Sequence, residues 1–227
     1  MIRNAIKDYL STINPQFLER VLALSIVKNN FPEVRHVPHF VKREELWDLA
    51  CDRIGNRPLT YLEFGVWEGY SIKYFAEKVG DSRARFFGFD SFEGLPEDWG
   101  AFQKGSYTNH GRIPETDDAR IKFVKGWFQE TLPDFFAQTS LDDPEGALIV
   151  HYDADLYSST LYCLSLVDAL KTPYLAIFDE FTGHETRALQ NYHQAFGAKI
   201  EFLGRTGGIK SNWPDQVLAL ITPGAHA

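Results

Sequence analysis

The chain has little sulfur chemistry to offer. It carries two cysteines, Cys51 and Cys163, far apart in the sequence. Two distant thiols argue against a disulfide framework or a cysteine-based zinc site, and they fit a reducing compartment. Both read as small core residues. Long apolar runs are also missing, and none approaches the roughly 20 residues a membrane helix needs. The opening Met1-Ile2-Arg3-Asn4 lacks the apolar stretch of a signal peptide. A cytoplasmic location is therefore expected, with no membrane partner. Positive charge is in deficit: 23 Lys plus Arg stand against 31 Asp plus Glu, a net charge of −8. Nothing offsets repulsion from a polyanion, so no nucleic-acid partner is expected. The glycine pattern of a dinucleotide site is absent as well. Gly65-Val66-Trp67-Glu68-Gly69 lacks the third glycine and the spacing of G-x-G-x-x-G, which disfavours a nicotinamide dehydrogenase.

What the chain does contain is aromatic side chains, 15% of residues, and short apolar segments alternating with helical periodicity. Ile2, Ile6, Leu10 and Ile13 recur at helical spacing, Asn14-Pro15 reads as a cap and first turn of a second helix to about Asn29, and Arg43–Ile54 reads as a third. Residues 1–57 are expected to form an N-terminal helical cap or oligomerisation arm, and 58–227 the main domain. From Leu59 onward, apolar strands near 59–64, 84–89, 120–125, 147–152 and 174–178 are each separated by helices or loops. That alternation predicts an α/β domain with a parallel sheet covered by helices on both faces. Segments 199–203 and 216–222 have no helix between them, so they predict a terminal hairpin with an antiparallel strand. The stretch 91–119 has no periodic segment but carries Phe92, Trp99, Phe102, Tyr107 and His110. A long aromatic loop inside a compact domain reads as an active-site lid.

In an open parallel sheet, ligands bind at the carboxyl ends of the strands. Acidic residues follow four of the five strands there: Glu63 and Glu68, Asp90, Asp153 and Asp155, and Asp179 with Glu180. The glutamates flanking Gly65 and Gly69 would repel a pyrophosphate and suit a ligand with a positive centre. Asp90 stands where an acid bonds ribose hydroxyls, with a turn-capping role as the alternative. Asp153, Asp179 and Glu180 converge if their strands are neighbours. Three unpaired carboxylates that close do not all stay ionised. A hard divalent cation such as Mg²⁺ would resolve the repulsion; capping with salt bridges to Arg or Lys would do so too. His110, His151 and His184 are candidate bases, although His151 lies inside an apolar strand and reads more readily as buried and hydrogen-bonded. His184 lies in a loop at the acidic rim and is a candidate base. Trp67 and Trp127 follow strands directly and suit the wall of a flat ring, with core packing as the alternative.

Five stretches together resemble the macrocin O-methyltransferase family of class I S-adenosylmethionine-dependent methyltransferases. They are Leu62–Gly69, Phe89–Pro96, Gly126–Pro133, Asp153–Thr160 and Phe178–Phe181, in order and spacing over roughly 59–200. The resemblance implies a Rossmann-like, seven-stranded, mostly parallel sheet of order 3-2-1-4-5-7-6 with an N-terminal helical extension. It implies that Gly65 and Gly69 let the backbone approach the methionine part of the cofactor. Glu63 would hold the amino group, directly or through water, Asp90 the ribose, and Gly126 with Trp127 the adenine. Trp67, Ser71, Ser91 and Asp153 complete the expected cofactor-binding set. Asp153, Asp179 and Glu180 would bind Mg²⁺; the family more often has two aspartates after strand five, and Glu180 keeps the charge with a longer reach. Asp153, Asp155 or His184 would be the catalytic base. The acceptor would be a hydroxyl of a sugar or natural-product small molecule. A small enzyme with an apolar N-terminal arm is expected to form a homo-oligomer. The competing readings are a metal-independent methyltransferase of the same fold and a noncatalytic ligand-binding or scaffold protein.

Overall fold

A computed structural model describes residues 12–141, 143, 145–207 and 213–225. The helix expected around Ile2–Leu10 lies outside them. Helix α1 spans Pro15–Asn29; Asn14 caps it by accepting a bond from the Gln16 amide at 2.8 Å, and Pro15 occupies the first turn. A 3₁₀ turn, Pro32–Arg35, interrupts the proline-containing stretch that follows. Helix α2 (Arg43–Ile54) ends at Gly55 in the left-handed region.

The sheet then builds as the alternation predicts. Its elements are β1 (Leu59–Phe64), α3 (Tyr70–Lys78), β2 (Arg85–Asp90), β3 (Ile121–Lys125), α4 (Phe128–Gln138), β4 (Ala147–Tyr152), α5 (Tyr157–Asp168), β5 (Tyr174–Phe178), α6 (His184–Phe196), β6 (Lys199–Arg205) and β7 (Val217–Thr222). The seven strands run in the order 3-2-1-4-5-7-6. Strands β1 to β5 pair in parallel, and β7 is antiparallel to both β5 and β6. This is the sheet order and direction of the Rossmann-like methyltransferase fold.

Strand parity sorts the core into two layers. In β1, β4 and β5, even-numbered residues such as Leu62, Phe64, Val150, Tyr152, Ala176 and Phe178 face α1, α4, α5 and α6. Odd-numbered Leu59, Tyr61, Ile149, Leu175 and Ile177 face α2 and α3, where Leu46, Trp47 and Phe75 are fully buried. The aromatic excess goes largely into the first layer. Phe89, Phe64, Tyr152 and Phe178 form a row across the sheet, with centroids 5.3, 5.7 and 4.9 Å apart. Offset contacts of this kind add to the large area each ring removes from water. Cys163 is buried in this layer, Cys51 packs beside the other, and neither is bridged. The odd register has a further consequence. It carries Glu63, His151, Asp153 and Asp179 along one face toward the carboxyl ends of the strands.

Candidate active site

A cavity of about 510 Å³ opens at those carboxyl ends, within the size range of small-ligand sites. A smaller hollow, about 250 Å³, lies at the opposite strand ends beside Arg53 and Arg57 and holds none of the strand-end acids.

The turn after β1 is shaped by close approach. Gly65 has φ +93°, and a Cβ there would stand 1.8 Å from the Asp153 carbonyl oxygen. Only glycine lets β1 leave the sheet this near the end of β4. Asp90 secures the same turn. Its Oδ2 accepts from the Val66 and Trp67 amides at 2.8 and 2.9 Å, and its Oδ1 from the Phe92 amide at 2.6 Å. Non-glycine residues in the left-handed region gather here: Trp67, Phe92, Tyr107, His110 and Asp155, against Lys171 elsewhere among the described residues. Such conformations cost energy and persist where surrounding contacts enforce them, commonly at functional sites.

The 91–119 loop folds over the rim as a set of tight turns. Leu95 and Ser106 pair across it at 2.9 Å, and Phe92 is buried at its root. Trp99 and Phe102 stack at 5.5 Å, Phe102 meets Tyr107 at 5.1 Å, and Tyr107 meets Trp67 edge-on at 5.7 Å. The Asn109 side-chain amide donates to the Trp67 carbonyl, tying loop to turn.

The acids of β4 and β5 meet beneath this cover. The Asp179 amide donates to the Tyr152 carbonyl at 3.1 Å, which extends the parallel pairing past the strand ends and sets Asp179 beside Asp153. One ligand atom from each of His151, Asp153 and Asp179 falls within 4.8 Å of the others. The His151 ring is buried, with Nδ1 2.9 Å from the Tyr61 hydroxyl. Tyr61 donates to Glu63 Oε2 at 2.6 Å, and the Ser71 hydroxyl donates to Glu63 Oε1 at 2.7 Å. His151 Nε2 lies 3.8 Å from Asp179 Oδ1 and has no hydrogen-bond partner. The Gln216 side-chain amide donates to Asp179.

Burial and crowding shift Asp153, Asp155, Glu180 and Glu185 upward. Burial, then the charges of Glu180 and Asp179, pushes Asp155 up to about 7. Burial, then Asp179 and Asp215, does the same for Glu180, also to about 7. Asp153 is raised well above the ordinary range by burial and by the Asp179 and Asp155 charges. Glu185, fully buried with Oε2 accepting from the Glu180 amide at 3.0 Å, is raised by burial as well.

Of the residues singled out in the sequence, Gly65, Trp67, Asp90, Ser91, Gly126, Trp127, Asp153, Asp155, Asp179 and Glu180 line the cavity. Glu63 and Ser71 do not; they face each other below the floor. Gly69 caps α3 in the left-handed region. His184 stands outside the lining, its Nδ1 accepting from the Tyr157 amide at 3.3 Å, and burial lowers its pKa. Two residues, Glu185 and Arg43, carry no mark in the sequence, and His151 is marked there only as a base candidate or a buried core residue. His151 joins the acids because it lies two residues before Asp153, and strand parity carried that signal. Glu185 is the first-turn acid of α6. Arg43 reaches the cavity from the start of α2, with its guanidinium 5.2 Å over the Trp47 ring and 5.0 Å over the Tyr70 ring. No local pattern marks it, since only the tertiary fold brings α2 to the rim.

Comparisons with known proteins agree with this geometry. A family described as Methyltransferase domain matches residues 62–181, the segment holding Gly65, Asp90, Asp153 and Asp179. A curated relative from Streptomyces olivaceus, 8-demethyl-8-(2,3-dimethoxy-alpha-L-rhamnosyl)-tetracenomycin-C 4'-O-methyltransferase, is 25% identical over 202 residues, spanning 76% of this chain and 73% of that protein. The crystal structure of an O-methyltransferase from Bacillus cereus in complex with SAH superposes with a TM-score of 0.53 at 15% identity, covering 98% of this chain and 100% of that one. At that identity the likeness speaks for the fold.

Proposed function

The chain belongs to the methyltransferase-domain family, and from that premise we propose that it is an S-adenosylmethionine-dependent O-methyltransferase acting on a hydroxyl of a sugar or natural-product small molecule, assisted by a divalent cation, Mg²⁺ in the family it resembles. The tetracenomycin relative, which methylates a sugar-bearing natural product by its name, supports the acceptor class. One observation carries the reading. Asp90, Glu97, Asp153, Asp155, Asp179 and Glu180 line one cavity, and Arg43 is the cation among its described lining residues. A cleft with that balance concentrates cationic ligands and repels phosphates. A sulfonium donor with an amino-acid end matches it.

The residues divide the work. Asp90 Oδ1 accepts one backbone bond and keeps a lone pair for a ribose hydroxyl. Trp127 and Phe128 offer faces to an adenine. Arg43 pairs with the donor's carboxylate. Glu63, already bonded to Tyr61 and Ser71, acts on the donor's amino group through water rather than directly. Asp155, with its pKa near neutrality, takes the acceptor's proton. A divalent cation held by Asp153 and Asp179, with Glu180 of the expected set lining the same cavity, would lower the pKa of the acceptor hydroxyl. The aromatic loop 91–119 serves as the lid that excludes water. The reading includes a cytoplasmic location. It also includes a homo-oligomer formed through residues 1–57, which the exposed Phe17, Val21 and Leu22 of α1 support.

Calorimetry with S-adenosylmethionine, S-adenosylhomocysteine and NAD⁺ tests the core of this. Binding of the two sulfur compounds and not of NAD⁺ is expected, with gain of one methyl by a hydroxylated acceptor in mass spectrometry. Failure of both sulfur compounds to bind overturns it. Full turnover after EDTA treatment would leave the methyltransferase and remove the metal.

A further inference from the structure

The odd-numbered register of β4 places a buried imidazole beside the two carboxylates already described, and one of its ring nitrogens has no hydrogen-bond partner. The Tyr61 hydroxyl spends its one proton on Glu63 Oε2 at 2.6 Å, so toward His151 it offers a lone pair. His151 Nδ1, at 2.9 Å, is therefore the N–H donor. Nε2 is left bare. It is buried, lacks a hydrogen-bond partner, and lies 3.8 Å from Asp179 Oδ1 in a group whose ligand atoms fall within 4.8 Å of one another. A lone pair facing Asp179 is repulsive until a proton or a metal ion stands between them. Trp47 packs edge-on against the buried ring at 5.8 Å. Gln216 donates to Asp179 and fixes that carboxylate in turn.

We propose that His151 Nε2 is the third protein ligand of the divalent-cation site formed with Asp153 and Asp179, and that this site selects a first-row transition-metal dication such as Mn²⁺, Fe²⁺ or Co²⁺ over Mg²⁺. The inference rests on the metal part of the function proposed above. Mg²⁺ takes oxygen ligands and keeps its waters, whereas an imidazole nitrogen favours the borderline transition metals. Tyr61 and Glu63 then act as positioning residues. Through Nδ1 they hold the ring in one tautomer and one orientation, the usual service of groups behind a metal-bound histidine. This also gives Glu63 and Ser71 a task that does not require them to face the cavity.

Calorimetry of the full-length protein with Co²⁺, Mn²⁺ and Mg²⁺, joined to pulsed EPR of the Mn²⁺ complex, tests the assignment. The wild type should bind Co²⁺ at least ~10-fold more tightly than Mg²⁺, and Mn²⁺ should show ¹⁴N coupling. His151→Gln should lose both the preference and the coupling. Tyr61→Phe leaves the three ligands in place, yet should weaken Co²⁺ binding by ~10- to 100-fold; it keeps the test valid if His151→Gln fails to fold by circular dichroism. Equal wild-type affinities for Co²⁺ and Mg²⁺, or nitrogen coupling retained in His151→Gln, overturn the inference. If His151→Gln binds normally while Asp153→Asn does not, the His151 assignment falls and the carboxylate metal site stands. No uptake of any ion by the wild type removes both.

Discussion

Asp155 shows how one residue acquires a chemical role from its surroundings. It sits at φ +57°, where the chain turns from β4 into α5, and it lines the cavity. Burial and the Glu180 and Asp179 charges bring its pKa to about 7. A base works best when its pKa lies near the working pH. Below that value Asp155 is protonated and cannot accept the acceptor's proton; above it the carboxylate is free. The turnover rate should therefore rise with pH as Asp155 ionises, with a midpoint at about 7 without metal and lower with a dication bound beside it. Asp155→Asn should lower kcat by ~10²- to 10⁴-fold and abolish that limb, with S-adenosylhomocysteine affinity little changed. A pH–rate profile of both proteins at saturating substrate decides it. A limb that survives in Asp155→Asn assigns the proton transfer to another group.

At the scale of elements, Asp90 holds together the ends of two strands. Its carboxylate gathers amides from the turn after β1 and from the start of the 91–119 loop. Asp90→Ala leaves those donors without their charged partner. Hydrogen bonds to a charged group are worth ~1.5–3 kcal/mol, so a loss of about 2 kcal/mol in a urea titration is expected, together with weakened cofactor binding. An unchanged midpoint would mean that water replaces the carboxylate. Much at this scale was legible in the sequence. The strands from β1 to β7 fall within a few residues of the expected segments, because apolar runs of strand length alternate with helical periodicity and the breaks carry glycine or acids. Asp153 and Asp179 could be paired because β4 and β5 were expected to be neighbours. The 3₁₀ turn Pro32–Arg35 is not indicated by the sequence, since Pro32 and Pro38 mark a break without stating its form. Nor is the service of α2, whose Arg43 and Trp47 reach the site only through tertiary packing. His151 was read as a hydrogen-bonded core residue. Its Nδ1 fits that description; its Nε2 belongs with the acids, which the i, i+2 spacing to Asp153 indicates once side-chain direction is considered.

For the whole molecule, the acidic rim sets how stability depends on pH. Asp153, Asp155, Glu180 and Glu185 all hold their protons more tightly in the fold than in the unfolded chain. Asp155 and Glu180 move from ordinary values of 3.8 and 4.5 to about 7. Between those limits the native state binds more protons than the unfolded state, so stability falls as pH rises. Their contribution is complete below about 4 and lost above about 7. Asp81 and Asp118 act in the opposite sense, because hydrogen bonds from Arg83 and Arg120 hold them below 3.8, so their contribution is lost only in stronger acid. These pairs lie toward the surface, where such contributions are small. The metal-free protein should thus be more stable near pH 5 than near pH 7.5, against the common rise toward neutrality. Glu180→Gln should flatten the decline. A cation or cofactor that binds only the native state should offset it, by ~2.7 kcal/mol at a hundred times its Kd. Melting temperatures of EDTA-treated protein across this range, with and without Mn²⁺ or S-adenosylhomocysteine, measure the effect. A melting temperature that climbs steadily to pH 7.5 without ligand would mean that the rim carboxylates are ionised and paired in the free protein, and that the rim is not poised for a cation.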